Sequence, residues 1–268
     1  MSKGTEERLY KQWKENPLSL DSKIRFDQSV CLTCNGRCCI NPGVILTPYD
    51  LYRLAKGQAF QRIGKGFKEF LKDCCEVYIG DNSKIPIVLL GVNELGMCWF
   101  LAPVLHKRNG KLIPLTNPEG NMLKLCSVND CKPMKCRFYP LGHVMEGSVS
   151  DSETKSGFVY LKGNICPSCS GGIKTTVREI LGEDLESLRF TEKCSKVIAK
   201  ASEFMLKEYP ELVRKELEKV LFETLYVLPV LGAEGGKTFE EIASTQEAFI
   251  DTLSTGLDKI LIKLATQK

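Results

Sequence analysis

The sequence is short of several things that common protein classes need. Histidine occurs twice in 268 residues, at His106 and His143, so the close histidine pair of a Cys2His2 zinc finger is absent. A Cys–His nucleophile could draw only on His143, and nothing else in the chain points to a triad. No run of about 18 apolar residues is present, which excludes a helical membrane span. The first residues, MSKGTEERLYKQWKENP, are charged and have no apolar core, so no secretory signal is read and the chain is expected to be cytoplasmic. Net charge is small, +4, too weak an excess to indicate nucleic-acid binding. A glycine-rich stretch, GAEGGKT at 232–238, lacks the spacing of a phosphate-binding loop and has no buried strand before it. It reads as a linker.

What the chain has in excess is cysteine. There are thirteen, an odd number, which argues against a fully paired disulfide framework. In a cytoplasmic chain, closely spaced cysteines are metal ligands more often than disulfides. Four fall within nine residues, CLTCNGRCC, at Cys31, Cys34, Cys38 and Cys39. Asn35, Gly36 and Arg37 make a turn that lets sulfurs from both sides face one point. Arg37 beside Cys38 favours the thiolate. A second group is CSVNDCKPMKCRFYPLG, with Cys126, Cys131 and Cys136 spaced five apart. That spacing rotates successive positions by roughly 140° on a helix, so at least one of the three must lie on a loop. Lys132, Lys135 and Arg137 interleave with them and would offset thiolate charge, and Arg37, Lys135 and Arg137 are read as setting the local charge. A third group is the C-x2-C pair Cys166 and Cys169. Cys98, in MCWFL, completes a set of ten candidate ligands. Cys74, Cys75 and Cys194 read as small core residues. Ten thiols exceed one four-ligand site, so two sites, or a cluster plus a zinc, are both allowed. The spacing alone does not choose between zinc and iron–sulfur.

The fold class expected is α+β. A cysteine-rich region, 1–172, would hold a small antiparallel sheet with flanking helices, and a helical region, 173–268, would follow it. Helices are predicted at Gly4 to Lys14, from Pro48 to a stop at Gly57 behind a Thr47/Asp50 capping box, and from Ala59 to Cys74. Strands are predicted at 85–91, 97–101 and 122–126, and a hairpin turns at Asn109–Gly110. A further hairpin joins 143–149 to 157–161 through DSETKSG. From Ile173 onward the pattern is helical, with breaks near Gly182, Pro210 and Pro229. The last helix starts near Thr238, and its stripe, including Ile242, Phe249, Ile250, Leu253, Leu257, Ile260 and Leu261, is packing or a surface for a protein partner.

The cysteine order resembles one family. CLTCNGRCC matches the signature of the CxxCxxxCC, or YkgJ-type, family, described as zinc- or iron-chelating. Its members tend to open a helix with Thr-Pro soon after the motif, as at Thr47–Pro48, and to carry a cysteine in a context like Cys98-Trp99-Phe100-Leu101. They end on a block that CSVNDCKPMKCRFYPL matches at Cys126, Pro133, Cys136, Arg137, Tyr139 and Pro140. Lys132 stands where the family has arginine, and Cys131 is an added cysteine in that block. The resemblance spans Cys31 to Cys169 and implies an iron–sulfur cluster or zinc held by those cysteines. One branch, the flagellin lysine N-methylases, implies by analogy an iron–sulfur-dependent protein lysine methyltransferase that uses S-adenosylmethionine. No glycine loop for that cofactor is seen by spacing. A zinc-stapled interaction module is the third reading.

Overall fold

The computed structural model describes residues 3–27, 29–30, 34–117, 119–146, 155–161 and 166–266. Cys31 and the DSETKSG turn fall largely or wholly outside them. The architecture is α+β with small antiparallel sheets.

Helix α1 (Lys3–Glu15) leads to strand β1 (Lys23–Arg25). The predicted capping box forms at the next helix, α2 (Pro48–Lys56). The Thr47 side chain accepts from the Asp50 N–H while the Asp50 carboxylate accepts from the Thr47 N–H. The single helix expected over 59–74 is two. Gly64, at φ +69°, breaks the chain between α3 (Ala59–Arg62) and α4 (Phe67–Cys74), and Glu69 caps the second piece through the Gly66 N–H. Strands β2 (Val44–Leu46), β3 (Cys75–Ile79) and β4 (Pro86–Leu90) form one sheet in the order β2-β4-β3.

The strand expected at 97–101 is also shorter. Met97 and Cys98 make only isolated bridges, to Ile40 and Val92, and the chain turns at Trp99 and Phe100 before β5 (Leu101–Pro103). Next come β6 (Leu105–Arg108) and β7 (Lys111–Pro114), joined at Asn109 and Gly110. Both have positive φ, as the Asn-Gly turn demands. β8 (Lys124–Cys126) pairs with β5, Leu101 opposite Cys126. One short helix, α5 (Met134–Phe138), carries the end of the second cysteine group. β9 (Leu141–Glu146) and β10 (Lys155–Tyr160) form the expected hairpin, with Gly157 under Trp13 of α1. A Cβ there would lie 2.3 Å from the indole nitrogen.

The segment after Ile173 is not helical at first. β11 (Lys174–Thr176) pairs antiparallel with β1, Ile24 opposite Thr175. Helices α6 (Val177–Leu181), α7 (Leu185–Met205), α8 (Glu211–Phe222), α9 (Leu228–Glu234) and α10 (Phe239–Thr266) follow. Pro229 does not break the chain. It sits at the start of α9, behind a π turn at Glu223–Val227.

The helical region packs onto the cysteine-rich one. The Tyr49 ring of α2 lies 5.5 Å from Phe190 and 4.8 Å from Phe239. The Tyr52 hydroxyl donates to the Lys237 carbonyl, and Tyr226 donates to Pro86. One apolar core runs from Ile24, Leu46 and Phe100 to Val197, Leu225 and Ile250. On α10, Ile242 and Ile250 are buried, Leu253 and Leu257 pack against that core, and Phe249 is exposed. Among the described residues no helix is long and apolar enough to cross a membrane.

Candidate metal centre

The cysteine turn is built by local chemistry and then pinned to the sheet. Asn35 and Gly36 both adopt left-handed backbone, φ 55° and 66°. Gly36 also lies against Leu101 so closely that a Cβ would come within 2.4 Å of the leucine methyl, so a larger residue there would have to displace Leu101 as well as adopt the left-handed backbone. The Asn35 side chain accepts from the Lys124 N–H of β8 (3.2 Å). A single 3-10 turn, Arg37–Cys39, closes with the Cys39 N–H on the Gly36 carbonyl (2.7 Å).

From there the backbone brings distant cysteines together. The Cys98 N–H donates to the Cys39 carbonyl (2.8 Å). The Ser127 N–H donates to the Phe100 carbonyl (2.8 Å), which fixes Cys126 beside Leu101. Cys136 sits on α5, and α5 is held from both sides. Its first N–H, from Met134, donates to the buried Asp50 carboxylate (2.7 Å), and Lys135 reaches the Gly43 carbonyl (2.7 Å).

The thiols of Cys38, Cys39, Cys98, Cys126 and Cys136 consequently act on one another. The Cys39 thiol donates toward Cys38 and Cys98, so its own pKa is raised, by those bonds and by burial. Cys38 is pulled down to about 6, first by the Cys39 hydrogen bond and further by the Lys132 ammonium, against the effect of burial. Cys98 is lowered by the same Cys39 bond. Burial raises Cys126, opposed by the Val128 N–H and Lys132. Burial, then the neighbouring Cys98 and Cys126, push Cys136 up to about 12. The group is therefore divided: Cys38 and Cys98 are biased toward the thiolate, while Cys39, Cys126 and Cys136 are held protonated.

The other candidates lie apart. Cys131 is buried beneath the end of α2, where a Cβ on Gly57 would meet its sulfur at 2.4 Å. Burial and Asp130 push its thiol up to about 11, and Cys126 is its link to the group. Cys166 and Cys169 bracket a 3-10 turn, Pro167–Cys169, and form their own group with the Tyr139 and Tyr160 phenols. Burial and then Cys166 push Cys169 up to about 11. Cys34 is half-buried, its N–H on the Val30 carbonyl (3.0 Å). Cys74 and Cys194 are core residues, 1% exposed each, and Cys75 is half-buried at the start of β3. All twelve described cysteines are free. Among the described residues no group of three or more His, Cys, Asp and Glu side chains converges in metal-binding geometry.

The interleaved cations divide. Lys132 acts on Cys38 and Cys126, and Lys135 lies by Cys136. Arg37 is exposed. Arg137 turns away from the thiols to Asp184, which also takes Arg53 at 3.1 Å. Burial opposes ionisation of Asp184, yet the two guanidiniums hold its carboxyl below the usual range. His143 packs against Phe138 and Phe158. The sequence reading missed Asp50 as the acceptor that fixes α5. The capping box was visible, but its reach to Met134, 84 positions away, was not.

No family profile, curated protein or solved structure matches this chain.

Proposed function

We propose that this chain is a cysteine-thiolate metalloprotein of the CxxCxxxCC kind. Its occupant is an iron–sulfur cluster, with zinc as the alternative. What supports the reading is that the backbone sets Cys98 against Cys39 and Cys126 opposite Leu101, and that Cys38, Cys39, Cys98, Cys126 and Cys136, which span almost 100 positions, are free thiols that influence one another's protonation. An all-thiol donor set suits zinc or iron–sulfur and not hard cations such as calcium or magnesium. Those five are the ligands this reading assigns. Cys31, Cys34, Cys131, Cys166 and Cys169 are the reserve from which a second site would draw. A bound cluster would supply one-electron redox chemistry, and zinc would supply a structural cross-link. The chain's own part is to hold the thiols in place through Asp50, Asn35 and the β5–β8 pair, and to offset their charge with Lys132.

The test is metal and acid-labile sulfide analysis, with a visible spectrum, on protein purified without oxygen. Iron and sulfide in near-equal amounts, lost together in Cys38→Ser and Cys98→Ser, support the cluster. Zinc lost in the same variants supports the alternative. Metal content unchanged by both substitutions, or no metal at all, sinks the proposal.

A further inference from the structure

Strands β6 and β7 form a two-stranded sheet of their own, with no third strand on either side among the described residues. An isolated hairpin is marginal in water unless one face is covered. Here neither strand has a buried residue, and Leu105, Leu112 and Ile113 are 46%, 67% and 38% exposed. The register sorts the side chains. Leu105 pairs with Pro114 and Lys107 with Leu112, which gives one face that is mostly aliphatic. His106 pairs with Ile113 and Arg108 with Lys111, which gives an opposite face that is mostly basic.

The surrounding charge has one sign. No acidic residue lies between Glu94 and Glu119, and among the described residues Lys107, Arg108 and Lys111 form no ion pair. An exposed aliphatic face that carries Lys107, backed by Arg108 and Lys111 on the opposite face, is an amphipathic arrangement of the kind that holds segments at a lipid interface. The apolar side chains enter the headgroup boundary, and the cations reach anionic headgroups.

We infer that the β6–β7 hairpin is a docking element for an anionic lipid surface. The sequence favours lipid over the other acidic macromolecules. One face of a four-residue strand pair is far smaller than the roughly 800 Å² each partner gives to a stable protein interface. The anchors of protein interfaces are enriched in Trp and Tyr, and strand-binding surfaces for nucleic acid stack bases on aromatics. There is no Phe, Tyr or Trp between Phe100 and Phe138. The inference does not depend on the metal, and it requires no membrane span.

The experiment is co-sedimentation of the full chain with phosphatidylcholine vesicles, with and without phosphatidylserine. Binding is expected only with phosphatidylserine, and it weakens as salt rises. Replacing Lys107, Arg108 or Lys111 by Gln weakens it by about fivefold each. Leu105→Ser with Leu112→Ser weakens it by at least about tenfold. All five side chains are solvent-accessible, and an unchanged far-UV spectrum confirms that each variant is folded. Absence of binding to anionic vesicles overturns the inference, as does binding indifferent to both sets of variants. Hairpin-dependent capture by polyglutamate or duplex DNA without vesicle binding also overturns it, and moves the surface to an acidic macromolecule.

Discussion

Asp50 is 2% exposed, and its carboxylate accepts from the Thr47 N–H, the Thr47 hydroxyl and the Met134 N–H. Burial raises its pKa despite these donors. Asp50→Ala removes the carboxylate half of the α2 capping box and leaves a buried N–H on α5 without an acceptor. The expected loss is about 2–4 kcal/mol in urea unfolding. Cys136 should alkylate faster in that variant, because α5 loses its tether, whereas a cost confined to the helix cap would leave the alkylation rate unchanged. His143 gives the molecule an acid-side sensitivity. Burial lowers its pKa, opposed by Glu192, and it stands opposite Phe158 across the β9–β10 pair. A base whose folded pKa is depressed stays neutral in the fold and takes up a proton on unfolding. Its cost is therefore absent above the unfolded pKa of about 6.5 and grows as pH falls below it, until the folded pKa is reached. The slope of stability against pH below 6.5 should drop by up to about 1.4 kcal/mol per pH unit in His143→Phe. Urea titrations at several pH values between 5 and 7 measure it (about 6.5 being the hinge).

At the scale of elements, local chemistry was readable where one residue type answers one backbone need. Thr47, Pro48 and Asp50 announced α2, and Asn109–Gly110 announced the β6–β7 turn. Reading failed where the partner is remote. Lys174–Thr176 is a strand only because Lys23–Arg25 lies beside it. Trp99 and Phe100 turn because Cys98 is drawn to Cys39. Pro229 shows the same limit. Proline lacks the N–H that would bond the carbonyl of Leu225, which should stop a helix. Instead the helix widens at Glu223–Val227, and Gln246 of α10, fully buried, donates to the Thr224 carbonyl (2.8 Å) and to that of Leu225 (3.4 Å). Gln246→Ala should cost about 2–4 kcal/mol, from the lost bonds and the cavity. Pro229→Ala supplies a new donor at the same place. A double-mutant cycle should therefore show coupling of about 1 kcal/mol between the two, and additive effects would refute this account of the π turn. The cysteine groups were likewise countable but not placeable. Spacing named ten candidates, whereas long-range backbone pairing is what sets Cys98 against Cys39 and Cys126 opposite Leu101.

The molecule as a whole joins the two regions that sequence character divides at 172. β11 lies past that boundary and β1 before it, yet they form one sheet. Asp184 collects Arg53 from α2 and Arg137 from α5, so an acid of the helical region neutralises two cations of the cysteine-rich one. The apolar core continues across the same joint. Elements that share a core lose their stability together, so unfolding should be a single cooperative event. The chain supplies two separable probes. Both tryptophans, Trp13 and Trp99, lie in the cysteine-rich region, while most of the helix that dominates far-UV circular dichroism lies after Val177. Tryptophan emission and ellipticity at the helix band should therefore follow one urea curve with one midpoint. Asp184→Ala leaves two half-buried guanidiniums facing each other, and should lower that midpoint for both probes by the same amount, equivalent to about 3 kcal/mol. Two separated midpoints, or a shift in only one of them, would mean that the regions fold independently and that the joint is mere contact. Coincident curves would mean that the thiol group cannot lose its scaffold without the helices losing theirs.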